Sequence, residues 1–430
     1  METVMDPEIQ ALREEIQKKT GKTPEERYEE KERRIQQATN LEKPDRVPII
    51  IMADPSDFTD VPRSAAYYDP IAFKKASIQV TLDFDADVGS SGLPTSGRAL
   101  ELLDVRSRRW PGGPLPPDYE YQFVEGEYMK ANEYDIFFKD PTDFMLRYYL
   151  PRMYGVAEPL AKLPYLGYSF NFLEGITTMF DSPEFADMAR RLSEAGREMK
   201  KFRELIGNTA EEMAQLGYPA FSHFGPAGGA PFDTVSSFLR GMQGAMTDMF
   251  RQPENLIKLC NVIQDQRLAM AQPADLTARG HQKRLGMPLW RGDTSFMSQK
   301  QFEKFYWPGL KKQIVTLAEL GYIPIPVFED EFGDRLECLL ELPKARVIAL
   351  VDYTDVFKLS KMLKGHLCVM GGGPLSHKKC SIQEVEDYNK RLIDECAVDG
   401  GFILSLRLPV DEKKEDVQAM IQRLKEYAAY

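Results

Sequence analysis

The sequence predicts an α/β protein, a (β/α)8 TIM barrel, from two observations. Short, continuous apolar runs recur along the chain, and this is the pattern of strands that are buried on both faces. Segments with helical spacing follow these runs, and such alternation is typical of parallel βαβ units. The eight predicted strands are 47–52, 86–88, 218–223, 285–290, 323–328, 347–351, 367–370 and 402–406.

The last four runs carry the clearest signal, because helical spacing separates them in 334–342, 354–363 and 382–396. Catalytic groups of a TIM barrel gather at the carboxyl ends of its strands. Polar residues that directly follow an apolar run are therefore the first candidates for a site.

Two regions lie outside this alternation. Residues 1–40 are highly charged and predict an N-terminal helical arm, which leaves 41–430 for the barrel. A long insertion, 93–215, follows the second predicted strand and is rich in aromatic residues and proline. We predict that it forms a cap over the mouth of the barrel, where its aromatic residues suit an apolar or aromatic ligand.

Composition excludes several classes of function. The 430 residues are 43% hydrophobic, enough for a sizeable core, and the net charge of −11 disfavours nucleic acid as a partner. The sequence contains no run of about 18 apolar residues, so we expect no membrane-spanning helix. The N-terminus lacks the apolar stretch of a secretory signal. The five cysteines are scattered without a CxxC pair, which favours a cytoplasmic location.

Carboxylates follow the fifth and sixth runs. Glu329, Asp330 and Glu331 come directly after one, and Asp352 after the next. Such groups can bind a metal, act as a general base or hold a cationic substrate. The structural alternative is that acids at the start of a helix favour its positive dipole. We predict Glu329, Asp330 and Asp352 as catalytic residues.

Other strand ends carry further candidates. His223 and Asp293 follow the third and fourth runs and are predicted to transfer protons, although a structural histidine or a buried salt bridge explains them equally well. The predicted substrate-binding residues are Asp54, Trp290, Arg291, Gly372 and Arg407. Gly372 belongs to a Gly-Gly-Gly-Pro turn that lets a ligand approach the backbone closely.

Three segments resemble the uroporphyrinogen decarboxylase superfamily. They are Gly225-Pro-Ala-Gly-Gly-Ala-Pro-Phe-Asp-Thr-Val-Ser-Ser-Phe-Leu-Arg-Gly-Met242, the helix from Met297 through Phe305-Tyr-Trp-Pro-Gly-Leu-Lys311, and Gly400-Gly-Phe-Ile-Leu-Ser405. The resemblance covers roughly 40–430 and implies the same barrel fold.

The superfamily contains two chemistries. True uroporphyrinogen decarboxylases use no cofactor and hold the carboxylates of a tetrapyrrole with an arginine-rich loop after the first strand. Here the corresponding loop, 52–60, contains three aspartates and no arginine, so it would repel that substrate. The resemblance therefore favours the second branch, the cobalamin-dependent (corrinoid) methyltransferases.

Members of that branch often bind zinc. A His-x-Cys pair and a later Cys hold it in many of them, but those positions are Phe328, Asp330 and Leu408 here. Methyl-ether demethylating members use a Glu-x14-Glu-x20-His pattern, which falls on Glu337, Asp352 and Gly373. The resemblance thus implies Glu337 and Asp352 as metal ligands, with His377 or an acid from 329–331 as a substitute third ligand.

These observations together predict a methyltransferase of the O-demethylase type. It would take a methyl group from a small methoxylated or methylated compound and pass it to a corrinoid protein, a separate partner because the chain has no Asp-x-His-x-x-Gly segment. Superfamily members also often form homodimers. Two alternatives stay open, namely a decarboxylase of a tetrapyrrole or another carboxylate, and a non-catalytic ligand-binding barrel.

Overall fold

The structure is a computed structural model, and it describes residues 6–89, 92–167, 172–224, 228–275, 280–372 and 380–430. The strands are β1 (Ile49–Ile51), β2 (Arg108–Arg109), β3 (Gln122–Phe123), β4 (Arg284–Leu289), β5 (Ile323–Phe328), β6 (Ile348–Val351), β7 (Cys368–Gly371) and β8 (Phe402–Leu406).

Helices surround these strands. The α-helices are α1 (Pro7–Thr20), α2 (Pro24–Thr39), α3 (Ala65–Tyr68), α4 (Pro70–Phe84), α5 (Gly97–Leu103), α6 (Tyr134–Lys139), α7 (Pro141–Phe144), α8 (Leu150–Met153), α9 (Phe172–Phe180), α10 (Pro183–Ile206), α11 (Thr209–Gln215), α12 (Pro231–Phe238), α13 (Gly241–Arg251), α14 (Pro253–Met270), α15 (Gly280–Lys283), α16 (Gln299–Gln301), α17 (Trp307–Glu319), α18 (Val356–Leu363), α19 (Ile382–Cys396) and α20 (Lys414–Tyr427). The 3₁₀ segments are Pro55–Asp57, Gly155–Lys162 and Gly333–Glu341, and the π-helical segments are Met145–Tyr149 and Phe302–Tyr306.

The central sheet has six parallel strands in the order β1-β8-β7-β6-β5-β4, and β2 pairs with β3 in a separate antiparallel ribbon. The sequence therefore predicted six strands of the parallel sheet correctly, each to within two residues at either end. α18 and α19 also lie close to their predicted positions, and the predicted helix 334–342 is a 3₁₀ segment.

Alternation along the strands separates two apolar layers. One core cluster, between the sheet and the helices, contains Ile49, Ala349 and Leu404. A second contains Ile50 and Leu350, which point to the concave side of the sheet. Successive side chains of a strand point to opposite faces, so both faces of this sheet are buried, as its unbroken apolar runs require.

The predicted strands 86–88 and 218–223 are not β-strands in the structure, apart from an isolated parallel bridge between His223 and Leu285. In the first segment, the Asp87 carboxylate accepts the Ile49 N–H at 2.7 Å, a donor that a regular neighbouring strand would use. In the second segment, Pro219 has no N–H to donate. Regular ladders therefore do not form there.

Backbone hydrogen bonds nevertheless connect the two outer strands of the sheet through these segments. Asp87 N donates to the Ile49 carbonyl of β1 at 3.0 Å, and Gly89 N donates to the Pro219 carbonyl at 3.0 Å. His223 N then donates to the Arg284 carbonyl of β4 at 3.1 Å. The sheet is thus curled so far that β1 and β4 face each other across two short irregular segments.

Helix α2 contacts the concave core at the amino ends of the strands. Its Ile35 belongs to that apolar cluster, and its Glu32 accepts two hydrogen bonds from Arg284 at 2.6 and 3.0 Å. Arg284 is only 1% exposed and also donates to the Ala220 carbonyl at 3.1 Å. A buried charge requires such partners, so this bond network fixes α2 to the sheet.

The N-terminal arm and insertion consist largely of helices, α1 and α2 in the arm and α5 to α11 in the insertion. Within the part of the chain that the structure describes, no helix has both the length and the apolar content needed to cross a membrane.

Candidate active site

Four carboxylates gather at the carboxyl ends of β4, β5 and β6, and we call Asp293, Glu329, Asp330 and Asp352 the carboxylate cluster. The strand register explains part of this convergence. Glu329 N donates to the carbonyl of Leu289 at 3.1 Å, and Asp352 N donates to the carbonyl of Phe328 at 3.2 Å. Parallel pairing therefore continues past the strand ends and sets Glu329 beside Asp352.

Glu329 lies on the concave face of the sheet. The preceding residue, Phe328, is fully buried in the layer between sheet and helices, and alternation turns Glu329 to the opposite side with Ile325. Burial, together with the charges of Asp352 and Asp330, raises the pKa of Glu329 to about 7. A carboxyl group with this pKa can donate a proton near neutral pH.

Asp352 forms an ion pair with Arg407, which follows β8. The strand between them, β7, is followed by Gly372, where no side chain separates the pair. A Cβ atom at Gly372 would lie only 2.6 Å from the Ser405 carbonyl oxygen. The sequence-predicted residues Asp352, Arg407 and Gly372 are therefore neighbours, and the charge of Arg407 is balanced within the protein.

Asp330 is the most exposed member of the cluster. Burial raises its pKa, with Asp293 and Asp352 adding to the effect and Arg291 opposing it. Asp293 is 4% exposed, and one of its oxygens accepts hydrogen bonds from the backbone N–H groups of Ser295, at 2.8 Å, and Phe296, at 3.1 Å. Asp293 thus shapes its own loop as well as contributing charge.

Two further polar side chains hold the loops after β4 and β5 in place. Arg335 donates to the carbonyl oxygens of Gly292 and Asp293, both at 2.7 Å. Thr354 Oγ1 accepts the Phe332 N–H at 2.9 Å, which ties the loop after β5 to the loop after β6. Catalytic groups act best when their supporting loops are fixed in this way.

A second acidic centre lies behind the cluster, and the sequence did not single it out. Asp233 is fully buried in the first turn of α12 and accepts a hydrogen bond from the Tyr306 hydroxyl at 2.7 Å and from Arg291 N at 3.0 Å. Burial raises the pKa of Asp233 to about 7. Tyr306 ends a π-helical segment, a feature frequent at functional sites.

Trp290 and Arg291 lie beside this centre, where their N–H groups donate to Asp233, whereas Asp54 lies near β1. Trp290 Nε1 donates to the Ser237 hydroxyl at 2.8 Å, and Arg291 forms an ion pair with Glu125 of the insertion at 3.2 Å. Asp54 accepts the Ser56 N–H at 3.0 Å and lies 3.4 Å from Arg63, on the β1 side.

His223 has a different orientation from the carboxylate cluster. Its bridge partner Leu285 belongs to the layer between the sheet and the helices, and paired residues of parallel strands share a face. The side chains that approach Gly286 on the concave face are those of Ser222 and Phe224. His223 therefore points away from the side that carries Glu329.

The zinc ligands that the resemblance implies do not assemble in the described residues. Glu337 is exposed on a 3₁₀ segment, and Asp352 is paired with Arg407. Across the described ranges, no group of three or more His, Cys, Asp or Glu side chains could hold a metal ion. Gly373 and His377 lie outside those ranges. The described donor set does not fit zinc, so the reaction proposed below gives zinc no role.

Comparison with known proteins gives a likeness in structure but none in sequence. No protein-family model matches the chain, and no curated protein matches it in sequence. In structure, the chain is similar to a methyltransferase from Methanosarcina mazei, with 12% sequence identity and a TM-score of 0.52, over 92% of this chain and 98% of that one. At this identity the likeness shows a shared α/β fold.

Proposed function

We propose that this protein is a methyltransferase that removes a methyl group from a small methoxylated or methylated compound and passes it to a corrinoid protein. Glu329 carries the proposal, because it is a carboxyl group with a pKa of about 7 at the carboxyl ends of the strands. The likeness in fold to a methyltransferase supports the proposal.

The proposal includes the finer fold assignment, a (β/α)8 barrel of the uroporphyrinogen decarboxylase type. Six parallel strands and the hydrogen-bonded segments 86–89 and 219–223 together make eight positions around the curled sheet. In such a barrel, the carboxylate cluster occupies the end where catalytic residues gather.

Glu329 acts as the general acid in this scheme. When the methyl group leaves an oxygen, the bond between the methyl carbon and that oxygen breaks, the electron pair stays on the oxygen, and the oxygen receives the proton from Glu329. An ammonium donor would leave as a neutral amine and would need no proton. The corrinoid of the partner protein supplies the nucleophile that accepts the methyl group. Asp352, which is ion-paired with Arg407, is one of the two carboxylates that raise the pKa of Glu329 and so favour its protonated form before the reaction.

The cationic groups near the cluster argue against a tetrapyrrole decarboxylase. Arg291 and Arg407 already form ion pairs with Glu125 and Asp352. A substrate with many carboxylates would need cations that are free to bind it. The described mouth instead carries an excess of acids.

The test is methyl transfer to cob(I)alamin, followed by its absorbance, with methoxylated aromatic compounds and methylated amines as donors. With methoxylated donors we expect Glu329→Gln to lower the rate about 100-fold or more, the usual contribution of a general acid. The matched control Glu337→Gln, an exposed carboxylate on the next segment, should keep the wild-type rate. Activity of the wild type should fall as the pH rises through about 7, because the proton on Glu329 is lost there.

Two results would refute the proposal. One is the absence of methyl transfer from every donor to either cob(I)alamin or a corrinoid protein. The other is release of CO2 from a carboxylate substrate without any corrinoid, which would support the decarboxylase instead.

A further inference from the structure

A cavity of about 390 Å³ opens at the carboxyl end of β1, and four aromatic side chains are among the residues that line it. Tyr67 and Phe73 line it from α3 and α4, while Tyr119 and Tyr121 line it from the insertion. Its volume lies in the range of small-molecule sites. Tyr119 and Tyr121 are 56% and 53% exposed, so rings of the insertion are accessible beside it.

The charged residues in the wall are mainly acidic. Asp54 and Glu120 line the cavity together with Arg63. Arg63 donates to Asp57 at 2.6 Å and lies 3.4 Å from Asp54 and 3.9 Å from Glu120, so three carboxylates surround this one cation. The wall therefore carries more negative than positive charge and repels an anionic ligand.

The groups that affect the pKa of Tyr67 show that aromatic and acidic side chains lie close together at this cavity. Burial raises the pKa of Tyr67, Arg108 opposes this shift, and the nearby Tyr121 and Asp54 add to it. Trp110 stacks on the Tyr67 ring with 6.5 Å between the ring centres, which fixes that ring at the wall. Tyrosine rings and a carboxylate thus face one space from two parts of the chain.

We propose that this cavity binds a methylated ammonium group. Aromatic faces attract a cation through their quadrupoles, and methyl groups fill an apolar wall that a hydrated metal ion would not. Asp54 and Glu120 supply the opposing charge. No member of the carboxylate cluster lines this cavity, so binding of the ammonium group does not rest on the proposed function.

Isothermal titration calorimetry with choline tests the proposal, and its neutral carbon analogue 3,3-dimethyl-1-butanol serves as the reference ligand. The two molecules have nearly the same shape, so their difference reports the cation. We expect choline to bind about threefold to thirtyfold more tightly than the alcohol, the range of a cation–π contribution. Equal affinities for the two ligands would overturn the proposal. So would the absence of detectable binding at choline concentrations up to about 50 mM, the range of the weakest complexes that can be measured.

Variants of one exposed ring locate the site. Tyr121→Leu should weaken choline about threefold or more, while Tyr121→Phe, which keeps the aromatic face, should bind like the wild type. Tyr427→Leu, at an exposed tyrosine on α20, is the matched control and should change nothing. An affinity for choline that is unchanged in a folded Tyr121→Leu variant would refute this location.

These measurements need no corrinoid, so they separate the two proposals. Selective choline binding without methyl transfer would leave the cavity assignment standing and remove the methyltransferase. Methyl transfer from neutral donors, without tighter binding of choline than of its neutral analogue, would support the methyltransferase and refute the cavity assignment.

Discussion

Replacing Glu329 by glutamine should stabilise the protein at pH 8 but not below pH 4.5. The glutamine keeps the size of the side chain and removes its titration. In the wild type, burial and two neighbouring carboxylates hold the pKa of Glu329 at about 7, against 4.5 for an ordinary glutamate. The unfolded chain therefore ionises at a lower pH than the folded protein does, and the wild type loses stability between these two values.

The size of the effect follows from the pKa. Each pKa unit corresponds to about 1.36 kcal/mol, so the full difference between 4.5 and about 7 is roughly 3.4 kcal/mol. Glu329 is only partly buried, and water at the strand ends screens part of this energy. We expect the free energy of unfolding of Glu329→Gln, relative to wild type, to increase by about 1–2 kcal/mol from pH 5 to pH 8.

Urea unfolding of both proteins at pH 5, 6, 7 and 8 measures this difference directly. The control Glu337→Gln removes a charge at an exposed position and should change by less than about 0.5 kcal/mol over the same range. A difference between Glu329→Gln and wild type that does not vary with pH, or that falls as the pH rises, would show that Glu329 is ionised at neutral pH. That result would also remove the general acid from the proposed reaction.

Three other substitutions test the contacts that build the site. Arg284→Met should lower the free energy of unfolding by about 3–5 kcal/mol because it leaves Glu32 buried and unpaired, and a second change, Glu32→Met, should restore much of the loss when both proteins are unfolded in urea. Tyr306→Phe removes the hydroxyl that donates to buried Asp233 and should cost about 1–3 kcal/mol in the same assay; no loss would mean that Asp233 is protonated and satisfied elsewhere. Gly372→Ala places a Cβ atom 2.6 Å from a carbonyl oxygen of β8, so we expect at least about 1 kcal/mol of destabilisation, and a fully stable variant would show that β7 and β8 can separate there.

The resemblance to the uroporphyrinogen decarboxylase superfamily suggested the proposed function, but it did not determine which residues could bind a metal. The exposed position of Glu337 on a 3₁₀ segment could not follow from a spacing pattern alone. The spacing pattern of the family selects Glu337 as the matching residue, whereas the path of the 3₁₀ segment decides where its side chain points.

The sequence by itself determined the parallel sheet. Unbroken apolar runs can only be buried on both faces, so 323–328 and 402–406 were predicted as strands with their observed bounds. It also placed Glu329 and Asp352 at adjacent strand ends, because a carboxylate directly after a buried strand must lie at its carboxyl edge. Local pattern sufficed for these features.

Only the tertiary structure decided the irregular parts and the chemistry of the acids. The hydrogen bond from Ile49 to the Asp87 side chain, which replaces a strand ladder, joins residues 38 positions apart. The pKa of Asp233 depends on its complete burial in the first turn of α12 and on the hydroxyl of Tyr306, 73 positions away. Burial and long-range contacts set the energy of a charge, and no local pattern encodes either of them.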